Sequence, residues 1–348
     1  MNGCGHYRVI WPAEVLRRAG HDVTVIPPHQ RGSALSGAVR GDRLVDVRIP
    51  ADADVIVLQR VTHRLVADAV SLIRAKGVAV VIDMDDDLRT IHPANPAFAA
   101  IHPRRGTSIH SWHNAQRACE AATLVTVSTN ELVRRYAPHG RGVVLDNHVP
   151  ARYLDVTHHD SDLLGWGGSI HSHPDDLQAA GTALTRLCRA GARFRVIGPR
   201  DGVREALRLD AEPEWTGVLD LTTQWPTALT SLGVGLAPLA DTVFNGAKSW
   251  LKPLEYAALG VPCVVSPRVE YVRLHKRGVG LLARNPHEWY RQLGRLRGDP
   301  TLRAELSESG REAARGLLTE DHSWRWAEAW ADAFRLQRRG VTPLVRSS

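Results

Sequence analysis

The feature that most narrows the possible folds is an alternation, from end to end, of short Val/Ile-rich runs with stretches of helical apolar period. HDVTVIPP (21–28), DADVIVLQR (52–60) and GVAVVIDMD (77–85) each predict a buried parallel strand, because strands covered on both faces are apolar throughout. Helical stretches at 11–20 and 63–76 separate them, the second running from a cap at Thr62 to a stop at Gly77. A helix over 109–121 leads to the strand ATLVTVST (122–129). Ser128 or Thr129 then caps the helix beginning NELVRRYA, and GVVLDNHVP (142–150) closes the series. Such β/α alternation predicts a parallel, doubly wound sheet.

A second series follows a linker near 150–160. DLLGWGGS (162–169), FRVIGP (194–199), SLGVGLAPL (231–239) and GVPCVVS (260–266) predict strands, and DDLQAAGTALTRLCRAG (175–191) an amphipathic helix. The chain therefore divides into two Rossmann-like halves, 1–155 and 156–310, with a helical stretch at the end, from Asp299 to about Arg339. Trp326, Trp330 and Phe334 fall a turn apart there and form an apolar packing stripe; 341–348 is expected to be a disordered tail. The opening is irregular. GCGHYRVIWPAEVL looks like the loop and helix that follow a central strand, yet only Met1 and Asn2 precede it. The first strand of the N-terminal half is thus expected to be missing, either because the true start lies upstream or because the half has lost it.

Length and composition set outer bounds. The 348 residues, 43% hydrophobic, suffice for two domains, and no apolar run approaches the roughly 20 residues a membrane span needs. The start MNGCGHYRV has no apolar signal core, so a cytoplasmic location is expected. Cys4, Cys119, Cys188 and Cys263 are scattered as reduced thiols would be, and the 17 histidines form no HExxH-type pairing; no metal site is expected. A net charge of +7 suits an acidic partner, but an arginine-rich composition produces it equally well.

Chemistry concentrates at 244–266, FNGAKSWLKPLEYAALGVPCVVS. The chain holds forty arginines and four lysines, and two of the lysines, Lys248 and Lys252, lie four residues apart here with Glu255 three further on. Pro253 belongs in a helix's first turn and Gly260 with Pro262 ends it, so both lysines sit at a helix N-terminal edge. Cations are disfavoured there by ~0.3–1 kcal/mol unless an anion is present. The pattern suits the phosphates of a nucleotide, with Glu255 accepting from ribose hydroxyls; the plainer reading makes Glu255 a first-turn acid and Lys252 its partner. Gly165-Trp166-Gly167-Gly168-Ser169 ends a strand before a helix, where backbone amides and a helix end can meet an anion. In the first half, Asp83 to Asp87 follow a strand and either position hydroxyls or cap the next helix. Gly3, Gly5, Tyr7 and Arg8 offer amides and a cation for an acceptor, or else form a turn.

These motifs, in this order, resemble the retaining GT-B glycosyltransferases, closest to a bacterial and phage group with a KSxLKxxE-type signature. GWGGSIHSHPDDL, FRVIGP and LGVGLAPLADTVFNGAKSWLKPLEYAALGVPCVVS carry the resemblance in the second half, and GCGHYRVIWPAEVL, VIDMDDDL and LVTVSTNEL in the first. The resemblance implies two Rossmann-like domains facing an interdomain cleft, with 311–340 packing back across them. A nucleotide-diphosphate sugar would bind through Gly167, Gly168, Ser169, Lys248, Lys252 and Glu255. The acceptor would meet Gly3, Gly5, Tyr7 and Arg8. Asp85, Asp86 and Asn245 are candidate catalytic residues, with no metal and no cofactor beyond the sugar nucleotide. Many relatives carry a second Glu where this chain has Ala247. The expected activity is sugar transfer to a hydroxyl acceptor (glycan, small molecule or modified DNA) with retention of configuration. Transfer to hydroxymethylated DNA bases and non-catalytic sugar-nucleotide binding are the alternatives.

Overall fold

In the computed structural model the described residues are 3–26, 35–102, 111–217 and 220–340. They form two compact units. One comprises 1–91, 97–147 and 322–348; the other comprises 92–96 and 148–321. The expected tail at 341–348 lies outside the described residues.

The first unit holds a parallel sheet of four strands, β3 (Val55–Gln59), β4 (Ala79–Met84), β5 (Leu124–Val127) and β6 (Gly142–Val144), in that spatial order, preceded by an antiparallel hairpin of β1 (Ser36–Arg40) and β2 (Arg43–Arg48). Every residue of β4 is buried, which explains why all but Asp83 are apolar. Thr129 caps the helix Asn130–Tyr136, its hydroxyl accepting from the Leu132 amide at 3.3 Å. Thr62 does not cap the helix Arg64–Ala75; that place falls to His63, without a side-chain bond. The described part of the expected strand at 21–28 does not form one: 21–26 carries no ladder and is exposed or half-exposed, and 27–28 lies outside the described residues. Apolar content predicts burial, but a strand exists only where its backbone pairs with a neighbour, and 21–26 has no such pairing.

The second unit holds a six-stranded, wholly parallel sheet. Its strands are β7 (Leu164–Gly167), β8 (Phe194–Ile197), β9 (Glu214–Thr216), β10 (Val234–Ala237), β11 (Cys263–Val265) and β12 (Leu281–Leu282). They lie in the order β12-β11-β10-β7-β8-β9. The chain builds outward from β7 to β9, then returns to β10 on the other side of β7. This reversal is the topological switch of a doubly wound sheet, and ligands bind outside the carboxyl ends of the strands flanking it. β9 (EWT) has no apolar run and β12 has only two residues, so neither showed in the sequence.

The helix Trp324–Arg338 belongs to the first unit, where Trp326 is 3% exposed in a cluster with Leu16, Ala79, Val81, Leu124 and Leu145. Among the described residues, no helix is long and apolar enough to cross a membrane.

Candidate functional site

The loops after β7 and β10 meet at the switch of the second unit, and the residues singled out there converge. The helix carrying Lys252 runs Leu251–Ala258, with Lys248 just before it, Pro253 in its first turn and Gly260, at φ 74°, just past its end. Two of its side chains grip the end of β7. The Lys252 ammonium donates to the Gly167 carbonyl, and the Tyr256 hydroxyl accepts from the Gly167 amide at 3.2 Å while donating to Leu236 in β10. Burial pulls the Lys252 amine below its ordinary range, Glu255 and Asp176 pull it up, and Lys248 lowers it further. Lys248 is half-buried, with its ammonium 4.5 Å from the centre of the Phe244 ring.

A second cluster braces the loop after β10. The Asp176 carboxylate, 4% exposed as a residue, accepts from the Asn245 amide at 2.6 Å and the Ala240 amide at 3.0 Å, and it pairs with the His173 ring at 3.2 Å. Burial alone would raise the Asp176 carboxyl. The bond and charge of His173, then the Ala240 and Asn245 donors, outweigh burial and hold it below the usual range. The His173 imidazole is pulled down by burial; its bond to Asp176 opposes this, while Lys248 and Lys252 reinforce it. The His173 ring thus sits beside two cations and one carboxylate. Asn245 also donates to the Ala240 carbonyl at 3.1 Å, and its own carbonyl oxygen is buried without a partner. Its amide thus holds the loop from Ala240 to Asn245 closed.

The glycine loop is only partly open to a ligand. The Gly167 amide is taken by Tyr256 and the Gly168 amide by the Ile197 carbonyl at 2.9 Å, so neither faces a phosphate. Any amide contact passes to Ser169 and beyond, where the chain turns with Ser172 and His173 donating back to the Ser169 carbonyl. The loop after β8 packs tightly on it: Gly198 has φ 123°, and a Cβ there would lie 2.3 Å from the Gly168 carbonyl oxygen. Only glycine fits both demands.

Glu255 is 6% exposed and accepts the Trp225 indole N–H at 2.9 Å. Trp225, from the helix Gln224–Leu229, lies against Gly167, where an added Cβ would come within 2.9 Å of its ring. Trp225, Asp176 and Tyr256 were not marked by the sequence, and His173 only as one of a loop pair. No spacing rule links them to the lysines, because the sheet topology brings them together. The Ala247 side chain is buried at 1% exposure, just past the helix Val243–Gly246.

The first unit corrects two expectations. Arg8 is not an acceptor contact: it lies in a π-helical turn, His6–Ile10, with its side chain wholly buried. Its guanidinium donates to Asp83 at 2.7 and 3.2 Å, to Asn147 at 3.2 Å and to the Leu145 carbonyl, and the Trp326 indole donates to the Arg8 carbonyl at 3.0 Å. Tyr7, 3% exposed, packs edge-on against Trp11 at 4.5 Å and is core as well. Gly5 is buried and Gly3 half-buried. The acidic run has divided functions. Asp83 pairs with Arg8, Asp87 caps the turn Leu88–Thr90, and Asp85 and Asp86 are both held by Arg60 at the carboxyl ends of β3 and β4. Arg60 adopts φ 49°, uncommon for a side-chain-bearing residue. Burial raises the Asp85 carboxyl, Arg60 opposes it, and Asp86 adds to the rise. All four cysteines are free, and among the described residues no group of three or more His, Cys, Asp or Glu is arranged to hold a metal.

Two α/β units with parallel sheets, the second doubly wound and carrying lysines and a buried glutamate at its switch, define the architecture. No protein-family model matches the chain, and no curated protein matches it by sequence. Solved structures do. The chain is similar to Anabaena HepE in complex with UDP-glucose, at a TM-score of 0.58 and 14% identity, over 80% of this chain and 78% of that one. It is similar to sucrose-phosphate synthase from Thermosynechococcus elongatus at 0.58 and 14%, over 96% and 94% of the two chains. It is also similar to the pneumococcal O-GlcNAc transferase GtfA in complex with UDP and GlcNAc, at 0.54 and 11%, over 86% and 65%. The fold is that of the GT-B glycosyltransferases, with two Rossmann-like domains.

Proposed function

We propose that this chain transfers a sugar from a nucleoside diphosphate to a hydroxyl acceptor with retention of anomeric configuration. The observation that carries the reading is the convergence of Lys248, Lys252, Glu255 and His173 at the switch of the second sheet, within a GT-B fold. Structural neighbours were solved with UDP or UDP-glucose, which supports a nucleotide-linked donor. Lys248 and Lys252 neutralise the diphosphate, and Glu255 takes the ribose hydroxyls. In the transfer, the bond between the anomeric carbon and the diphosphate oxygen breaks as the acceptor oxygen bonds to the same face. The acceptor's proton passes to the departing diphosphate. The lysines act by stabilising the charge that develops on that leaving group.

The test is a thermal-shift screen of UDP-, GDP-, ADP- and dTDP-sugars, repeated with Lys248→Ala. At least one donor should raise the melting temperature, and the shift should shrink in the variant. A shift that survives unchanged overturns the assignment of Lys248. The anomeric signal of the product, read by NMR, tests retention. For the acceptor, steep loss of DNA binding between low and moderate salt would favour a modified DNA base over a small hydroxyl compound.

A further inference from the structure

We propose that Trp225 is a positioning residue for Glu255 and, through it, sets a preference for ribose over deoxyribose in the donor nucleotide. The inference rests on the donor-binding reading of Glu255 given above. An indole N–H only donates, so the 2.9 Å contact from Trp225 has one polarity, with Oε1 of Glu255 as its acceptor. Glu255 is 6% exposed on a helix whose preceding turn carries Lys252, and Lys252 in turn grips Gly167. The Trp225 ring rests against the same Gly167, a position where any side chain would displace it. The strand end, the lysine, the glutamate and the indole therefore form one connected brace around the switch.

The brace matters because a glutamate side chain is long and loses rotamer freedom when it binds. A carboxylate grips two vicinal hydroxyls only when its plane is held, and it has about four acceptor positions in all. Fixing the plane before the ligand arrives lowers the ordering cost of binding. Deleting the indole N–H while keeping an aromatic ring should weaken the grip on ribose and leave contacts to base and phosphate intact.

Titration calorimetry with UDP, GDP and ADP and their 2′,3′-dideoxy counterparts separates the outcomes, using wild type, Trp225→Phe and Glu255→Gln. Wild type should prefer the ribonucleotide by on the order of tenfold or more, as expected for hydrogen bonds to a charged group. Glu255→Gln should bring that ratio close to one, and Trp225→Phe should lower it several-fold with dideoxynucleotide affinity unchanged. If Glu255→Gln leaves the ratio intact, or no diphosphate binds, the donor-site reading fails and the inference with it. If Glu255→Gln collapses the ratio while Trp225→Phe weakens both ligands equally or changes neither, Trp225 is merely packing and the inference alone fails. A second readout needs no variant at position 225. In protein labelled at its indole nitrogens, the Trp225 N–H resonance should move more with UDP than with dideoxy-UDP; equal shifts count against the proposal.

Discussion

Arg8→Met would show whether the buried guanidinium holds the first unit together. Both partners of its ion pair are out of water, with side-chain exposures of 0% for Arg8 and 2% for Asp83. Removing the arginine leaves the Asp83 carboxylate with the Thr126 hydroxyl at 2.7 Å and no compensating charge, and it strips donors from the Leu145 carbonyl and Asn147. Breaking a buried pair from one side costs about 3–5 kcal/mol, a large share of the ~5–15 kcal/mol that stabilises a domain. At 1.4 kcal/mol per tenfold, the unfolded population should rise roughly a hundredfold to a few thousandfold. The assay is native-state hydrogen exchange at the amides of Val80, Val81 and Ile82, which are fully buried in β4 of this unit. Asp83→Leu alone should be similarly damaging, while the double variant should recover much of the loss, since a buried pair exchanged for apolar side chains is often near neutral. Exchange in Arg8→Met within a few-fold of wild type would refute this reasoning. So would a double variant as unstable as the sum of the singles.

Three further outcomes are expected. Gly198→Ala should cost about 1–3 kcal/mol from its φ of 123° alone, and more as its Cβ pushes on the Gly168 carbonyl; donor-induced thermal shifts should fall with it, and a normal melting temperature would contradict the packing described. Because burial first, and then the lysines, depress the His173 imidazole below its ordinary 6.5, the folded second unit resists its protonation. That contribution to stability is present above pH 6.5 and is lost as pH falls through the lower folded value; His173→Gln should flatten the acid limb of the melting curve, and an unaltered limb would exclude His173 as its source. Arg60→Ala should push the Asp85 carboxyl, already raised by burial, higher still. A raised carboxyl favours the fold while neutral and opposes it once ionised, so the variant's deficit in melting temperature should grow as pH rises above 3.8; parallel curves would show that Arg60 does not govern Asp85.

What the sequence by itself determined is local. The parallel strands β3, β4, β5, β7, β8, β10 and β11 and the cap at Thr129 follow from apolar runs and neighbouring turn residues. The lysine-bearing helix between Pro253 and Gly260 does so too. Lys248, Lys252 and Glu255 stood out because lysine is rare in this chain and all three lie within one helical turn or two of each other. Tertiary structure decided everything that depends on partners far apart in the chain. The run 21–26 looked like a strand but has no ladder, because pairing is a property of two segments and no local pattern supplies the second. Arg8 and Tyr7 looked like surface groups, yet Asp83, 75 residues away, draws the guanidinium into the core. The switch between β7 and β10 then gathers Asp176, Trp225 and Tyr256 around the lysines, from positions that no local spacing rule relates. A charge or hydrogen bond acts through space, and the strand order fixes which residues share that space.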